Sequence, residues 1–111
     1  MKKKRSPKLY IEDIKDSIHK IECYTQKLDF KKFIKSNMTM DAVIRNLSII
    51  GEAAKNIPQN VKNRHREIPW YEIIGMRNKV IHEYFGVNEE VLWKTIKEDI
   101  PLLKKRIKRL K

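Results

Sequence analysis

The sequence has few of the residues that cross-link or interrupt a chain. Its 111 residues include one cysteine, three glycines and four prolines. A single cysteine, Cys23, excludes an intramolecular disulfide and a thiolate zinc site, and we expect it to be a small buried hydrophobic residue. The three histidines, His19, His65 and His82, are too scattered to predict a metal site. The sequence therefore predicts neither a metal nor a cofactor.

Acidic residues and long apolar runs are also scarce. Lysine and arginine outnumber aspartate and glutamate 26 to 14, which gives a net charge of +12. Such an excess favours an acidic partner: nucleic acid, an anionic surface or an acidic protein. No apolar run approaches the roughly 20 residues that span a bilayer. The basic start, Met1 to Pro7, precedes no apolar segment of the kind found in secretory signals. We expect a soluble, cytoplasmic protein without a membrane partner.

Apolar residues recur at three- and four-residue steps along most of the chain, which predicts an all-α fold. We expect helices at about 9–26, 30–34 and 40–56, and from about 89 to the C-terminus. Thr39 is the expected N-cap of the third helix and Asn88 that of the last. Pro101 predicts a kink in the last helix, or a restart capped by Asp99. Residues 8–111 should form one compact bundle of about four or five helices, and residues 1–7 a flexible basic arm.

The most informative stretch runs from Trp70 to Gly86. It follows Pro69, ends at Gly86, and is expected to form one α-helix. At about 100° per residue, one side of that helix collects apolar side chains, with Arg77 near their middle: Trp70, Ile73, Ile74, Val80 and Ile81. Burying a guanidinium is costly without an anionic partner or a wet cleft. Glu52 is the candidate anion, and Gly51 beside it indicates a close helix–helix approach.

Four polar residues of this stretch could carry chemistry: Arg77, Asn78, His82 and Tyr84. Arginine offers permanent charge to a phosphate, and histidine is the natural proton carrier near neutral pH. Spacing alone does not define a site, because arginine and histidine occur five residues apart by chance. The structural alternatives are an Arg77–Glu52 ion pair, an inert histidine at a helix end and a packing tyrosine.

Two segments resemble a known family. Asp41 to Lys55, D-A-V-I-R-N-L-S-I-I-G-E-A-A-K, and Ile68 to Val87, I-P-W-Y-E-I-I-G-M-R-N-K-V-I-H-E-Y-F-G-V, are similar to the signatures of HepT-like proteins. These are all-α HEPN-domain ribonuclease toxins, usually homodimeric, paired with a small nucleotidyltransferase antitoxin of the MntA type. The resemblance runs from about Leu9 to Leu110. The family motif, Arg-x4-His-x-Tyr, is complete here as Arg77, His82 and Tyr84.

The resemblance implies a HEPN-type bundle, a two-fold homodimer and a metal-independent ribonuclease with Arg77 and His82 as its catalytic pair. Asn78 and Glu52 would support that pair. Tyr84 would be the residue to which the antitoxin attaches AMP, silencing the toxin. Two other interpretations stay open: a non-catalytic helical dimer that binds RNA or a nucleotidyltransferase, and a scaffold in which Arg77 and His82 hold the dimer together.

Overall fold

The structure, a computed structural model, describes residues 5–82 and 86–110. The first helices are α1 (Pro7–Thr25), α2 (Phe30–Ile34), α3 (Asn37–Asn56) and α4 (Gln59–Arg64). They are followed by α5 (Trp70–Ile74) and α6 (Met76–Val80), and by the short strands β1 (Ile81–His82) and β2 (Gly86–Val87). The last helical segment comprises α7 (Glu89–Lys94), a π-helical turn (Thr95–Asp99) and α8 (Ile100–Ile107). The fold is all-α, as predicted.

The long helices α1 and α3 form the centre of the bundle and pack against each other. Each has an apolar stripe that is buried: Ile11, Ile14, Ile18 and Ile21 on α1, and Val43, Leu47, Ile50 and Ala54 on α3. Phe33 of α2 is fully buried and stacks on Trp93 of α7, with ring centroids 5.0 Å apart. Removing these side chains from water is the main source of stability for such a core.

Two local predictions about these helices are wrong. Ser36, not Thr39, is the N-cap of α3, because its Oγ accepts a hydrogen bond from the Thr39 amide at 3.2 Å. The helix therefore begins at Asn37, three residues before the expected start. Cys23 is exposed rather than buried. The buried positions Ile18, Ile21 and Thr25 define the inner side of α1, which leaves position 23 on the outer side.

The predicted helix over 70–86 is also wrong, since the chain forms two short helices there instead. Gly75 (φ −90°, ψ 2°) separates α5 from α6, and α6 ends at Val80 because Ile81 is extended. The break changes which residues of α6 face the core: Met76 and Val80 are buried, whereas Arg77 is exposed. Ile74, expected in the core, is 36% exposed. The guanidinium therefore needs no anion to offset burial.

Gly86 has a different role from the expected one. It does not end a helix but lies in β2, where its φ of 76° falls in the left-handed region that favours glycine. The strands β1 and β2 are antiparallel, with Ile81 opposite Val87 and His82 opposite Gly86. The Asn88 amide extends this pairing by donating to the Val80 carbonyl at 2.7 Å. Asn88 then caps α7 as predicted, with its Oδ1 accepting from the Val91 amide.

The last helical segment contains a π-helical turn just before Pro101, in place of the predicted new helix start capped by Asp99. The Asp99 side chain makes no capping hydrogen bond. Its carboxylate lies 3.5 Å from Lys79 Nζ, an ion pair that joins α6 to the π-helical turn. Proline lacks an N–H, and a wider turn is one way for a helix to continue past it.

Gly51 marks the close approach that its position predicted. A Cβ atom at Gly51 would lie 3.0 Å from the Ile74 carbonyl oxygen, so α3 and α5 are in backbone contact there. This contact fixes the end of α5 directly before Gly75 and Arg77. In the part of the chain that the structure describes, no helix is both long and apolar enough to cross a membrane.

Candidate functional site

Arg77 is the first of the predicted site residues, and α6 presents it to solvent. Its Nη1 donates a long hydrogen bond to the neighbouring Asn78 Oδ1 at 3.4 Å. Burial of Met76 and Val80, four residues apart, turns the intervening polar side chains outward. The guanidinium is therefore oriented by local contacts and open to a ligand.

Arg77 and Asn78 line a groove of about 450 Å³ between α3 and the α5–α6 pair. We call it the Arg77 groove. Ser48, Glu52 and Lys55 of α3 form its other wall. Gly51 forms part of that wall, and its backbone contact with Ile74 brings the two helices together. The structure thus places Arg77, Asn78 and Glu52, three of the predicted site residues, around one groove.

Glu52 shares this groove with Arg77 but does not pair with it. Among the residues that the structure describes, no ion pair within 4.0 Å joins the two. The pair was expected because Arg77 was placed in the core; an exposed arginine has no such need. Glu52 is itself exposed, so the groove contains both a free cation and a free carboxylate within the described residues.

The remaining motif residues lie at the edge of the described structure or outside it. The His82 backbone belongs to β1 and pairs with Gly86, while the His82 side chain lies outside the described part. Tyr84 lies outside the described residues altogether. Because the chain is extended at Ile81 and His82, Arg77 and His82 do not lie on one helix.

Sequence reasoning missed two cations near this site. Lys55 lines the Arg77 groove, and Arg45 lines a neighbouring groove of about 360 Å³ between α1 and α3. Both are exposed. Arg45 and Glu52 are seven residues apart on one helix and so lie near the same side, a signal that the sequence contained.

A larger groove of about 890 Å³ lies between α5–α6 and α8, with the exposed side chains Tyr71 and Leu102 on its walls.

Comparison with known proteins identifies the family of this chain. The family described as ribonuclease HepT-like matches residues 14–110. The chain belongs to the HepT-like ribonuclease family. No solved structure matches it significantly.

Individual relatives cover nearly the whole chain. A protein of Thermococcus cleftensis named "Probable ribonuclease HepT" is 54% identical over 108 residues, which are 97% of this chain and 98% of the relative. "Putative RNase TTE0752" of Caldanaerobacter subterraneus subsp. tengcongensis is 41% identical over 106 residues, 96% of this chain and 95% of the relative. "Putative RNase MJ1380" of Methanocaldococcus jannaschii is 40% identical over 104 residues, 94% of this chain and 95% of the relative.

Proposed function

We propose that this protein is a metal-independent endoribonuclease and the toxin of a toxin–antitoxin pair, acting in the cytoplasm on cellular RNA. The observation that carries the proposal is the complete motif Arg77, His82 and Tyr84 in a chain of the HepT-like ribonuclease family. The exposure of Arg77 in a groove supports it, because a guanidinium that only stabilised the fold would be paired or packed.

The chemistry uses the RNA itself as the source of the nucleophile. The 2′-hydroxyl attacks the adjacent phosphorus, so no metal-bound water is required. His82 serves as the base toward that hydroxyl or as the acid toward the leaving 5′-oxygen, and Arg77 neutralises charge on the phosphoryl oxygens. Asn78 orients His82 or donates to the phosphate. The products carry a 2′,3′-cyclic phosphate.

One histidine per chain cannot easily make both proton transfers in a single step. A two-fold homodimer with its motif segments face to face would supply two histidines and two arginines to one cleft. We therefore include a homodimer in the proposal.

The test of catalysis uses the purified, unmodified chain and a labelled RNA. His82→Ala and Arg77→Ala should each lower cleavage by at least about 100-fold, the usual cost of removing a proton-transfer group or a charge-stabilising donor. Arg66→Ala removes an exposed arginine outside both α3 grooves and is the matched control. Cleavage at the wild-type rate by either motif variant would contradict the proposal. RNA binding by the wild type without cleavage would select the non-catalytic binding module instead.

Silencing is the second part of the proposal. A nucleotidyltransferase antitoxin would transfer AMP from a nucleoside triphosphate to Tyr84: the phenolic oxygen bonds to the α-phosphorus, pyrophosphate leaves and the phenol proton is lost. The attached phosphate would compete with RNA for Arg77. Co-expression with the product of the adjacent gene should add one or more AMP units to the intact mass, mapped to Tyr84, and Tyr84→Phe should abolish the increment. An unmodified mass with the partner bound would instead indicate inhibition by occlusion.

A further inference from the structure

The Arg77 groove does not end at α3, because two of its residues also line the groove on the other side of that helix. Ser48 and Glu52 line both the Arg77 groove and the groove that contains Arg45. The two grooves therefore meet on the exposed side of α3, at the hydroxyl group of Ser48 and the carboxylate of Glu52. We call the combined surface the α3 crossing: the Arg77 groove, Ser48 and Glu52, and the Arg45 groove.

The α3 crossing has an excess of free positive charge. Arg77, Lys55 and Arg45 are exposed, and none of them forms an ion pair with any residue in the described ranges 5–82 and 86–110. Glu52 is the one exposed carboxylate at the junction that is likewise without an ion pair within those ranges.

At the far end of the Arg45 groove, the charges of the described residues offset each other. Arg5 and Asp13 form an ion pair there at 2.7 Å, and this hydrogen bond raises the pKa of Arg5 above its usual range. Arg5 also stacks over the Tyr10 ring at 4.8 Å from its centroid. Because Arg5 is already paired, Arg45 is the cation of this groove that remains available to a ligand.

The composition of the α3 crossing favours a polyanion over a protein partner. Protein interfaces usually have an apolar, aromatic-rich centre. Of the large hydrophobic residues that are exposed in the described part of the chain, only Ile74 lines these two grooves. Free guanidinium groups are instead suited to phosphate, which they can bind through two parallel N–H donors.

We infer that an RNA strand held at Arg77 crosses α3 over Ser48 and is bound by Arg45 through a phosphate outside the scissile bond. Arg45 and Lys55 are ten residues apart, about 15 Å along the α3 axis, so a strand of about four stacked nucleotides is long enough to reach both. Arg45 is a binding residue for the substrate and takes no part in proton transfer. This inference rests on the proposed ribonuclease function.

The experiment measures binding of a fluorescent oligouridine of about 12 nucleotides with 2′-O-methyl groups, which cannot be cleaved through its 2′-oxygens. Dissociation constants over a series of salt concentrations are compared for the wild type, Arg45→Ala and Arg66→Ala. The two variants lose the same charge at exposed sites, so a difference between them reports position. Arg45→Gln keeps a side chain of similar reach and serves if the alanine variant folds poorly by circular dichroism.

We expect Arg45→Ala to weaken binding by about five- to tenfold, the loss of one exposed charge-assisted contact. The slope of log affinity against log salt should fall by about 0.7, the value for one phosphate contact on a single strand. Arg66→Ala should change affinity by less than about twofold and leave the slope unchanged.

Three results would overturn the inference, and they separate it from the ribonuclease proposal. If Arg45→Ala behaves like Arg66→Ala while the wild type cleaves RNA, the α3 crossing is not the RNA path but the ribonuclease stands. If Arg45→Ala changes the oligomeric mass and not RNA affinity, the surface is a protein interface. If the wild type neither binds the oligonucleotide nor cleaves unmodified RNA, the ribonuclease proposal fails together with this one.

Discussion

Whether Arg77 is buried or exposed decides which interactions its side chain can make. In the core, a guanidinium would have to be paired to offset its desolvation. On the exposed side of α6, its hydrogen bond within the described residues is the 3.4 Å contact with Asn78. Exposure therefore removes the need for a structural ion pair and makes the guanidinium accessible to the proposed RNA phosphate.

Arg77→Lys tests whether the guanidinium or only its charge is needed. Lysine keeps the charge but offers one ammonium in place of a planar fork of donors. We expect cleavage to fall by about 10- to 100-fold while the urea unfolding midpoint stays unchanged, since Arg77 is exposed. Cleavage by Arg77→Lys at the wild-type rate would show that the reaction does not require the planar set of N–H donors of arginine.

Arg77 and the His82 backbone lie in a helix and in the strand that follows it, not in one helix. Gly75 separates α5 from α6, the extended Ile81 ends α6, and Gly86 pairs with His82 across the two strands. The backbone of His82 is therefore fixed by a ladder contact and not by helical hydrogen bonds. Gly86, the residue that pairs with the His82 backbone, has a φ of 76°.

Gly86→Ala should destabilise the protein, because an L-residue in the left-handed region costs about 1–2 kcal/mol. The effect should come from the backbone, since a Cβ at Gly86 would meet no atom of the described residues within 4 Å. Cleavage should fall as well, because the variant disturbs the strand pair that fixes His82. Urea unfolding and a cleavage assay measure the two effects.

Gly75→Ala is the matched control for this prediction. Its φ is −90°, and a Cβ there would lie 3.7 Å from the Tyr71 carbonyl oxygen, an ordinary contact. We expect a change within about 0.5 kcal/mol, or a slight gain from a less flexible unfolded chain. Equal losses at Gly75 and Gly86 would contradict the role given to the φ at Gly86.

The sequence predicted helices correctly where the apolar periodicity extends over several turns, and incorrectly where it extends over few residues. The stripes of α1 and α3 extend over several turns, so both helices were predicted, as were the close approach at Gly51 and the Asn88 cap. Over 70–86 the same apolar residues fit either one helix or two short ones, and tertiary contacts decided between them. Glu52 was found because it follows Gly51, whereas Arg45 was missed because its seven-residue spacing from Glu52 becomes a signal only once Glu52 is assigned to the site.

At the scale of the whole molecule, the net charge of +12 and the proposed two-fold dimer act together. Two copies would bring the charge of both chains to one cleft, which favours a polyanionic substrate and makes its binding dependent on salt. A cleft that combines residues of both chains would also explain how a protein with a single motif histidine per chain can make two proton transfers.

A mixed dimer of one wild-type chain and one His82→Ala chain tests this composite cleft. If one cleft uses both histidines, this heterodimer, purified through two different tags, should cleave RNA at least about tenfold more slowly than the wild-type dimer. Light scattering should give about twice the chain mass of 13.4 kDa. A monomeric mass, or a heterodimer that keeps about half of the wild-type activity, would show that each chain works alone.

The measurement that tests the central claim most directly is the chemistry of the RNA ends after cleavage in excess EDTA, read by mass spectrometry. Attack by the 2′-hydroxyl, with proton transfer by His82 and charge neutralisation by Arg77, predicts undiminished cleavage and upstream fragments that end in a 2′,3′-cyclic phosphate. Loss of cleavage in EDTA with recovery on adding a divalent metal, or fragments ending in a 3′-hydroxyl, would contradict the account.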